Sequence, residues 1–341
     1  MLETTLSAQL IHILLQGFLC FVLAMALTPV YTHFAFKLKL WKQVRDTATT
    51  GEKAPVFHKL HAAKHKRNIP TMAGVIGIIS VTVVMLLMNW SRNQTYLPVF
   101  GLVAAGAVGF LDDLINIRGN GKGIAGLRSP IKFALILAIA LVGGLYFFFR
   151  LGYSQIHVPA VGNFEIGWLY IPLFVLVVVA TANAVNIADG LDGLAGGLLA
   201  AAFGAYSIVA FAQGNYGIAG FCLAMVGAVL AYTWFNIFPA RFFMGDTGSF
   251  AFGTALGIVA MLTNSVFILP VIASVFVVEA GSSALQIFSK KVFKRKIFLS
   301  APIHHHLEAI GWPETKVTMR LWIIGAVSAA LGMLIGLIAR G

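Results

Sequence analysis

The sequence predicts an all-α polytopic membrane protein with ten transmembrane helices, formed by a single integral membrane domain over residues 1–341. The first observation behind this prediction is composition. Of the residues, 59% are hydrophobic and only 11% are charged, whereas about a quarter of a soluble domain is charged. The second is a mean hydropathy of +0.88. The third is the confinement of most basic residues to a few loops between apolar runs.

Ten apolar runs divide the chain in order. A helix that crosses the hydrocarbon core needs about 20 predominantly apolar residues, and each run comes close to that length or exceeds it. The links at 213–215 and 264–265 are the shortest between neighbouring runs. The predicted spans are about 8–36, 71–90, 96–113, 131–150, 168–187, 194–212, 216–238, 248–263, 266–288 and 319–339.

The distribution of Lys and Arg predicts the orientation of these spans. Of the 24 basic residues, 21 lie in segments that the ten spans place on one side: 37–67, 118–132, Arg241 and 290–320. Only Arg92, Arg150 and Arg340 fall on the other side. Because basic residues accumulate in cytoplasmic loops, the first group is expected in the cytoplasm and both termini outside. The net charge of +12 follows from this topology, so no nucleic-acid partner is expected.

Two segments depart from a plain apolar helix. Segment 152–167, on the outer side, combines glycines and a proline with alternating Ile and Val, a pattern that predicts a small β-hairpin. The ninth span contains Pro270 and, further on, the run Glu-Ala-Gly-Ser-Ser at 279–283. A proline or a Gly/Ser pair is a sufficient local cause of a kink. A bent helix that opens a groove is therefore expected here, with a straight packed helix as the alternative.

Five aspartates lie at or inside the ends of apolar spans, where an ionised side chain is expensive and usually functional. Asp112 and Asp113 end the third span, Asp189 and Asp192 follow the fifth, and Asp246 follows the seventh. The span order places all five on the cytoplasmic side, beside the basic loops. Such a cluster suits Mg²⁺ and phosphate, because Mg²⁺ takes one or two carboxylates and leaves other positions to substrate phosphates. The alternative is simple pairing with loop cations.

Three consecutive histidines, His304, His305 and His306, stand in the run Ala-Pro-Ile-His-His-His-Leu-Glu at 301–308. Imidazole titrates near neutrality and can donate hydrogen bonds to anions, which favours contact with a phosphate or a sugar. A zinc site is a second interpretation, although adjacent histidines do not converge on one ion and no cysteine accompanies them. A solvated loop with chance histidines is a third.

Four motifs, in their order and spacing, resemble the polyprenyl-phosphate N-acetylhexosamine-1-phosphate transferases. They are Asp-Asp at 112–113, Asn-Ala-Val-Asn-Ile-Ala-Asp-Gly-Leu-Asp-Gly at 183–193, Phe-Met-Gly-Asp-Thr-Gly-Ser at 243–249 and the histidine run at 301–308. The resemblance covers nearly the whole chain. The histidine run, followed by Gly-Trp at 311–312 and Lys-Val at 316–317, is similar to the branch that transfers phospho-N-acetylmuramoyl-pentapeptide.

The resemblance implies an Mg²⁺-dependent enzyme of the bacterial inner membrane. The implied reaction transfers phospho-MurNAc-pentapeptide from UDP-MurNAc-pentapeptide to undecaprenyl phosphate, giving lipid I and UMP in the first membrane step of peptidoglycan synthesis. Ten helices with both termini in the periplasm, a cytoplasmic active-site cleft and a homodimer are implied as well, and the hairpin predicted on the outer side would then be periplasmic.

The resemblance also assigns roles position by position. Asp246 matches the magnesium ligand and a catalytic residue. Asp112 and Asp113 match paired catalytic aspartates, the first as a base for the lipid phosphate or as a positioning group. His304 completes the catalytic set. The matches to substrate-binding positions are Lys66, Thr71, Lys132, Asn186, Asp189, Gly190, Leu191, Asp192, Asn236, Phe243, Gln286, His305 and His306. Among these, Phe243 is expected to stack on uracil.

Two other functions compete with this one. Within the family, a related transferase would use UDP-GlcNAc as the donor. Outside it, a transporter also carries intramembrane acids and broken helices. The acids of this chain cluster at one face and not at the midplane, and the sequence shows no clear repeat of two halves, so a transporter is disfavoured.

Overall fold

The structure, a computed structural model, describes residues 2–41, 68–89, 92–119 and 126–338. Within these ranges the chain forms a bundle of helices with one small hairpin. The helices are α1 Leu2–Lys37, α2 Gly74–Met88, α3 Arg92–Arg118, α4 Ser129–Leu151, α5 Tyr170–Ala188, α6 Leu194–Ala212, α7 Tyr216–Asn236, α8 Gly245–Leu262, α9 Leu269–Ile272, α10 Ser274–Val292, α11 Ile303–Ala309 and α12 Glu314–Ile338. Short 3₁₀ turns occupy Gly167–Leu169 and Val266–Ile268.

Eight of the described helices are long and apolar enough to cross a membrane: α1, α3, α4, α5, α6, α7, α8 and α12. The pair α9 and α10 adds a ninth if it is counted as one bent span. The prediction of a mostly helical, polytopic membrane protein is confirmed. The predicted total of ten is not reached within the described ranges, because the second apolar run forms α2, whose 15 residues fall short of the roughly 20 that a spanning helix needs.

Helix α2 begins three residues later than its predicted span because the preceding backbone bonds to another segment. Phe243 N–H donates to the carbonyl of Pro70 at 2.8 Å, and Ala73 N–H donates to the carbonyl of Phe243 at 3.0 Å. Gly74 N–H donates to the carbonyl of Met244 at 3.0 Å. These bonds replace the helical hydrogen bonds of this segment. They also fix residues 70–74 beside the start of α8.

The ninth predicted span is broken. The break lies close to Pro270 and away from the Gly/Ser pair, the two causes that were expected. Helices α9 and α10 meet at an angle of 83°, and Ala273 between them has a non-helical backbone with φ −104° and ψ 29°. Pro270 lies in the first turn of α9, a position that proline tolerates. The Gly281–Ser282 pair lies inside the continuous helix α10, away from the break.

Two regions that were predicted as ends or loops are helical. Helix α3 continues to Arg118, so Asp112 and Asp113 lie inside it and not at its end. The histidine run begins the seven-residue helix α11 within the segment 290–320, which was expected to be a loop. In both cases helical geometry, with neighbours at i and i+3 or i+4, decides which side chains share a face.

Helix α8 is the centre of the bundle. Every one of its residues is buried except Asp246 in the first turn. A helix buried on all sides has to be apolar or small around its whole circumference, and small residues let neighbouring backbones approach closely. At Gly253, a Cβ atom would lie 2.6 Å from the Thr181 carbonyl oxygen and 2.7 Å from the Cα atom of Ala182 on α5.

The predicted hairpin is present and packs at the end of α8 that is remote from Asp246. Strands β1 Gln155–Val158 and β2 Gly162–Glu165 pair antiparallel. The backbone N–H of His157 donates to Asn264 Oδ1 at 2.9 Å, and the Tyr153 hydroxyl donates to the Leu262 carbonyl at 3.3 Å. The acidic residue and the hairpin therefore lie at opposite ends of the central helix.

The substitution Gly253→Ala is expected to destabilise the bundle by about 1–3 kcal/mol, because overpacking a closed interface displaces the backbone. The measurement is the thermal unfolding of the detergent-solubilised protein. Gly204→Ala on α6 is the matched control, since a Cβ atom there meets nothing within 4 Å. Equal unfolding temperatures for the two variants would contradict the close α5–α8 contact.

Candidate active site

Helix α3 lies directly on the first turn of α8 at Gly109. A Cβ atom at Gly109 would overlap the main-chain carbonyl of Asp246 and would lie 2.6 Å from the amide nitrogen of Thr247. Only a glycine allows two backbones to meet this closely. Asp112 and Asp113 follow Gly109 by about one helical turn. The contact therefore carries both carboxylates to Asp246.

Asp113 closes the amino-terminal end of α8. Its Oδ2 atom accepts hydrogen bonds from the Thr247 backbone N–H at 3.0 Å and from the Thr247 hydroxyl at 2.9 Å. The first N–H groups of a helix have no partner within the helix, so a carboxylate from α3 satisfies one of them. Gly245 has a φ of +75°, and a Cβ atom there would collide with the same carboxylate oxygen.

Lys132 lies between the other two aspartates. Its ammonium Nζ is 2.9 Å from Asp112 Oδ2 and 2.5 Å from Asp246 Oδ2. The second oxygen of Asp112, Oδ1, accepts a hydrogen bond from the Leu127 backbone N–H at 2.7 Å. Lys132 thus neutralises two carboxylates that α3 and α8 bring together, which is the electrostatic task of a bound cation.

The three carboxylates fit a divalent cation. Asp112, Asp113 and Asp246 each offer an oxygen atom, and the three oxygens lie within 4.8 Å of one another. Hard oxygen ligands from carboxylates suit Mg²⁺. A cation at this position would compete with the Lys132 ammonium for the oxygens of Asp112 and Asp246. In the described part of the chain, the consecutive histidines form no comparable group of metal ligands, so the zinc interpretation gains no support.

The end of α5 is joined to the start of α8 beside this cluster. Asn186 donates from Nδ2 to Ser249 Oγ at 2.8 Å, and the Ser249 hydroxyl donates to the carbonyl of Gly245 at 3.0 Å. Asp189 follows α5 directly and is partly exposed. The predicted residue Asn186 is therefore tied to the first turns of α8, the helix that carries Asp246, and Asp189 follows Asn186 by three residues.

Asp192 and Asn236 are buried and bond to the backbone of neighbouring loops. Asp192 Oδ2 accepts a hydrogen bond from the Ala240 N–H at 2.9 Å. Asn236 Oδ1 accepts one from the Gly193 N–H at 2.8 Å, and its Nδ2 donates to the Phe242 carbonyl at 2.8 Å. These two amide contacts of Asn236 are both to main chain, and the side chains of Asp192 and Asn236 hold the loops after α5 and α7 together.

Three further predicted residues differ in exposure. The Phe243 side chain is half-buried, and its backbone is fixed by the bonds described above. Thr71 is buried, with its carbonyl accepting a hydrogen bond from the Tyr31 hydroxyl at 2.5 Å and its N–H donating to the Leu40 carbonyl at 2.7 Å. Leu191 is buried in the hydrophobic core. Of these, Phe243 has the accessible ring that stacking requires.

Two histidines of α11 face the loop after α5. His304 Nδ1 is 2.8 Å from Glu279 Oε2, and His305 Nδ1 is 2.8 Å from Glu308 Oε2. A Cβ atom at Gly190 would lie 2.5 Å from His304 Nε2 and 3.5 Å from His305 Nε2. Both imidazoles are therefore anchored by a carboxylate on one side and directed at Gly190 on the other.

Gln286 and His306 bond to the segment that follows α10. Gln286 Oε1 accepts hydrogen bonds from the N–H groups of Ile297 and Phe298 at 3.0 and 3.1 Å, and its Nε2 donates to the Phe298 carbonyl at 2.9 Å. His306 Nδ1 accepts from the Leu299 N–H at 3.3 Å. These side chains shape the loop that leads into α11. Lys66, also predicted to bind substrate, lies outside the described residues.

Three acids that sequence reasoning did not assign to the site support it. Glu279 was noted only as part of a possible kink, although an acid inside an apolar run is itself a signal. Glu308 stands three residues after His305, on the same helical face. Glu314 accepts a hydrogen bond from the Asp192 N–H through Oε1 at 2.7 Å. No local sequence pattern predicts the contact between Asp192 and Glu314, because 122 residues separate them.

The substitution Lys132→Met is expected to raise the affinity of the substrate-free protein for Mn²⁺ by about tenfold or more, a change of about 1.4 kcal/mol. The physical reason is the loss of a positive charge that contacts two of the three ligands. Mn²⁺ titration followed by electron paramagnetic resonance measures this affinity. An unchanged or weaker affinity would contradict a cation site that shares its oxygens with Lys132, and Lys290→Met is a control that removes a lysine elsewhere.

Comparison with known proteins identifies the family. The model of Glycosyl transferase family 4 matches residues 95–264. A phospho-N-acetylmuramoyl-pentapeptide-transferase of Geobacillus thermodenitrificans (strain NG80-2) is 39% identical over 322 residues, covering 92% of this chain and 95% of its own. One from Bacillus thuringiensis (strain Al Hakam) is 38% identical over 334 residues, covering 95% and 98%. The chain therefore belongs to the phospho-N-acetylmuramoyl-pentapeptide transferases, within glycosyl transferase family 4.

Proposed function

We propose that this protein transfers phospho-MurNAc-pentapeptide from UDP-MurNAc-pentapeptide to undecaprenyl phosphate, forming lipid I and releasing UMP. The observation that carries the proposal is the assembly of Asp112, Asp113 and Asp246 within 4.8 Å, in a chain whose relatives bear this activity in their name. The proposal includes an inner-membrane location with the site facing the cytoplasm, and a homodimer. The basic residues that flank the spans support that orientation.

The proposed reaction is an in-line displacement at the β-phosphorus of the UDP-sugar. An oxygen of the lipid phosphate forms the new P–O bond, and the bond between this phosphorus and the bridging oxygen breaks, so that UMP leaves with that oxygen. A phosphate monoester has a second pKa near 6, so the attacking group is largely dianionic at neutral pH. Asp112 is then needed more for positioning than for removing a proton.

Charge neutralisation is the main task of the protein in such a transfer. Asp246, with Asp112 and Asp113, would hold Mg²⁺, and this ion, when bound, offsets the negative charge of the phosphates. Lys132 supplies a second positive charge at the same place, because its ammonium contacts Asp112 and Asp246. The Lys132 side chain would be released toward a phosphate when a cation takes its position.

The donor is proposed to lie between the loop after α5 and α11. Phe243, half-buried two residues before α8, would stack on the uracil ring. Gly190 lies against the two imidazoles of His304 and His305, and Asp189, which precedes it, would lead from there toward the acidic cluster. A nucleotide-linked sugar phosphate that follows this surface meets the cation site at its phosphates. Asp192, Asn236, Thr71 and Gln286 would act by holding the loops that form the surface.

The donor and acceptor are tested together with purified protein in detergent. We expect UMP release from UDP-MurNAc-pentapeptide only when Mg²⁺ and undecaprenyl phosphate are both present. Faster UMP release from UDP-GlcNAc would favour the related transferase and contradict the proposed donor. Movement of a solute across proteoliposomes with no UMP release from either donor would favour a transporter instead.

The substitution Asp246→Asn is expected to lower UMP release by at least about 100-fold, since a metal supplies several kcal/mol of charge stabilisation. Asparagine keeps the size and one oxygen but removes the negative charge. Glu165→Gln, on the hairpin at the far end of α8, is the matched control and should leave turnover unchanged. Near-normal Mg²⁺-dependent turnover in Asp246→Asn would contradict the metal assignment.

A further inference from the structure

Glu279 is a fully buried acid inside an apolar helix, and the proposed reaction does not use it. Its side chain is 0% exposed on α10. Burying a carboxylate without compensation is costly, so its contacts indicate its task. Glu279 Oε2 is 2.8 Å from His304 Nδ1 and 3.5 Å from the His304 backbone nitrogen. The carboxylate therefore anchors both the ring and the main chain of one residue.

The opposite nitrogen of the same imidazole points at the proposed donor surface. His304 is 0% exposed, and its Nε2 atom has no hydrogen-bond partner among the described residues. This atom takes the space of the missing Gly190 side chain, since a Cβ atom there would lie 2.5 Å away. A buried polar atom without a partner requires an explanation. A substrate group that binds over Gly190 would supply the partner.

The proposed ligand decides whether Nε2 donates or accepts. An anionic oxygen only accepts hydrogen bonds, so it is met by a hydrogen on Nε2. An imidazole with a hydrogen on both ring nitrogens donates from Nδ1 to the Glu279 carboxylate and from Nε2 to that oxygen. A carboxylate oxygen 2.8 Å from Nδ1 is the partner that this form of the ring requires.

We propose that Glu279 is a positioning residue that holds His304 with Nε2–H as a hydrogen-bond donor directed over Gly190 at an anionic oxygen of the substrate. This inference rests on the proposed function, because it names the group that the donor surface offers to the sugar-phosphate. Through Nδ1, the carboxylate fixes both the direction of the ring and the position of the proton. A carboxylate bonded to the far ring nitrogen commonly fixes the orientation of a functional histidine.

A merely structural role for Glu279 makes a different prediction, and Ser282 provides the comparison. Ser282 lies one turn further along α10, and its hydroxyl oxygen accepts a hydrogen bond from the Ile303 N–H at 3.0 Å. It therefore ties α11 to α10, as Glu279 does, but through the main chain of Ile303 and not through the His304 ring. If docking of α11 were all that mattered, Ser282→Ala and Glu279→Gln would have similar effects.

The first test is a double-mutant cycle on UMP release. Glu279→Gln keeps the size of the side chain and is expected to lower turnover by roughly 10–100-fold, whereas Ser282→Ala should change it by no more than a few fold. In the His304→Ala background, Glu279→Gln should have no further effect beyond about twofold, because Glu279 acts through that ring. A full additional loss in that background, or an equal loss in Ser282→Ala, would overturn the proposal.

The second test does not depend on activity, so it separates failure of this inference from failure of the proposed reaction. Protein labelled with ¹⁵N-histidine is compared with His304→Ala to assign the His304 ring by nuclear magnetic resonance. In the wild type, Nε2 of His304 should be protonated. In Glu279→Gln the neutral amide accepts from Nδ1–H, and Nε2 should shift to the unprotonated range. An unprotonated Nε2 in the wild type, or no change in the variant, would overturn the inference.

Discussion

The contact between the backbones of α3 and α8 at Gly109 is the constraint on which the site depends. Three carboxylates from two distant parts of the chain repel one another, and nothing in α3 alone holds them near Asp246. The missing side chain of Gly109 lets α3 rest on the first turn of α8. Asp113 then bonds to Thr247, and Lys132 lies between Asp112 and Asp246. Repulsion is offset locally, and the arrangement is ready for a cation.

The burial of α8 explains why this arrangement can be held rigidly. Seventeen of its eighteen residues are buried, so α8 has little freedom to move away from α3 or α5. Glycines on and around it replace side-chain packing by backbone contact, as at Gly253 against α5. Only Asp246 reaches the surface of the helix. A rigid, apolar support with one charged residue at its end is an effective way to place a metal ligand.

The histidines belong to a second, separately built part of the same surface. Glu279 comes from α10, the segment after the 83° bend, and Gly190 comes from the loop after α5. Asn186 and Ser249 link α5, whose following loop lies against the imidazoles, to α8, which carries Asp246. In the proposed reaction the two parts would serve opposite charges, since the carboxylates would hold a cation and the imidazole N–H group would meet an anionic oxygen.

Much of the fold and part of the site were predictable from the sequence. Apolar runs identified the helices, the Gly/Pro pattern of residues 152–167 identified the hairpin, and acids at span ends identified the cluster of Asp112, Asp113 and Asp246. A bend in the ninth span was expected, but its position at Ala273 was not, and the late start of α2 was not predictable because it depends on bonds to another segment. The contacts of Asp192 with Glu314 and of Glu279 with His304 were not predictable either, because each joins distant parts of the chain. Long-range pairing leaves no periodic signal in a single sequence.

The central claim is that α3 and α8 form one cation site whose carboxylate oxygens also bind the Lys132 ammonium. Its most direct test is a crystal structure of the Mn²⁺-soaked protein, with the ion located by its anomalous scattering. The account predicts one peak bonded to Asp246 and to at least one of Asp112 and Asp113, with the Lys132 ammonium displaced from between them. A peak at the histidines of α11, or a bound ion elsewhere with Lys132 still bridging Asp112 and Asp246, would contradict it.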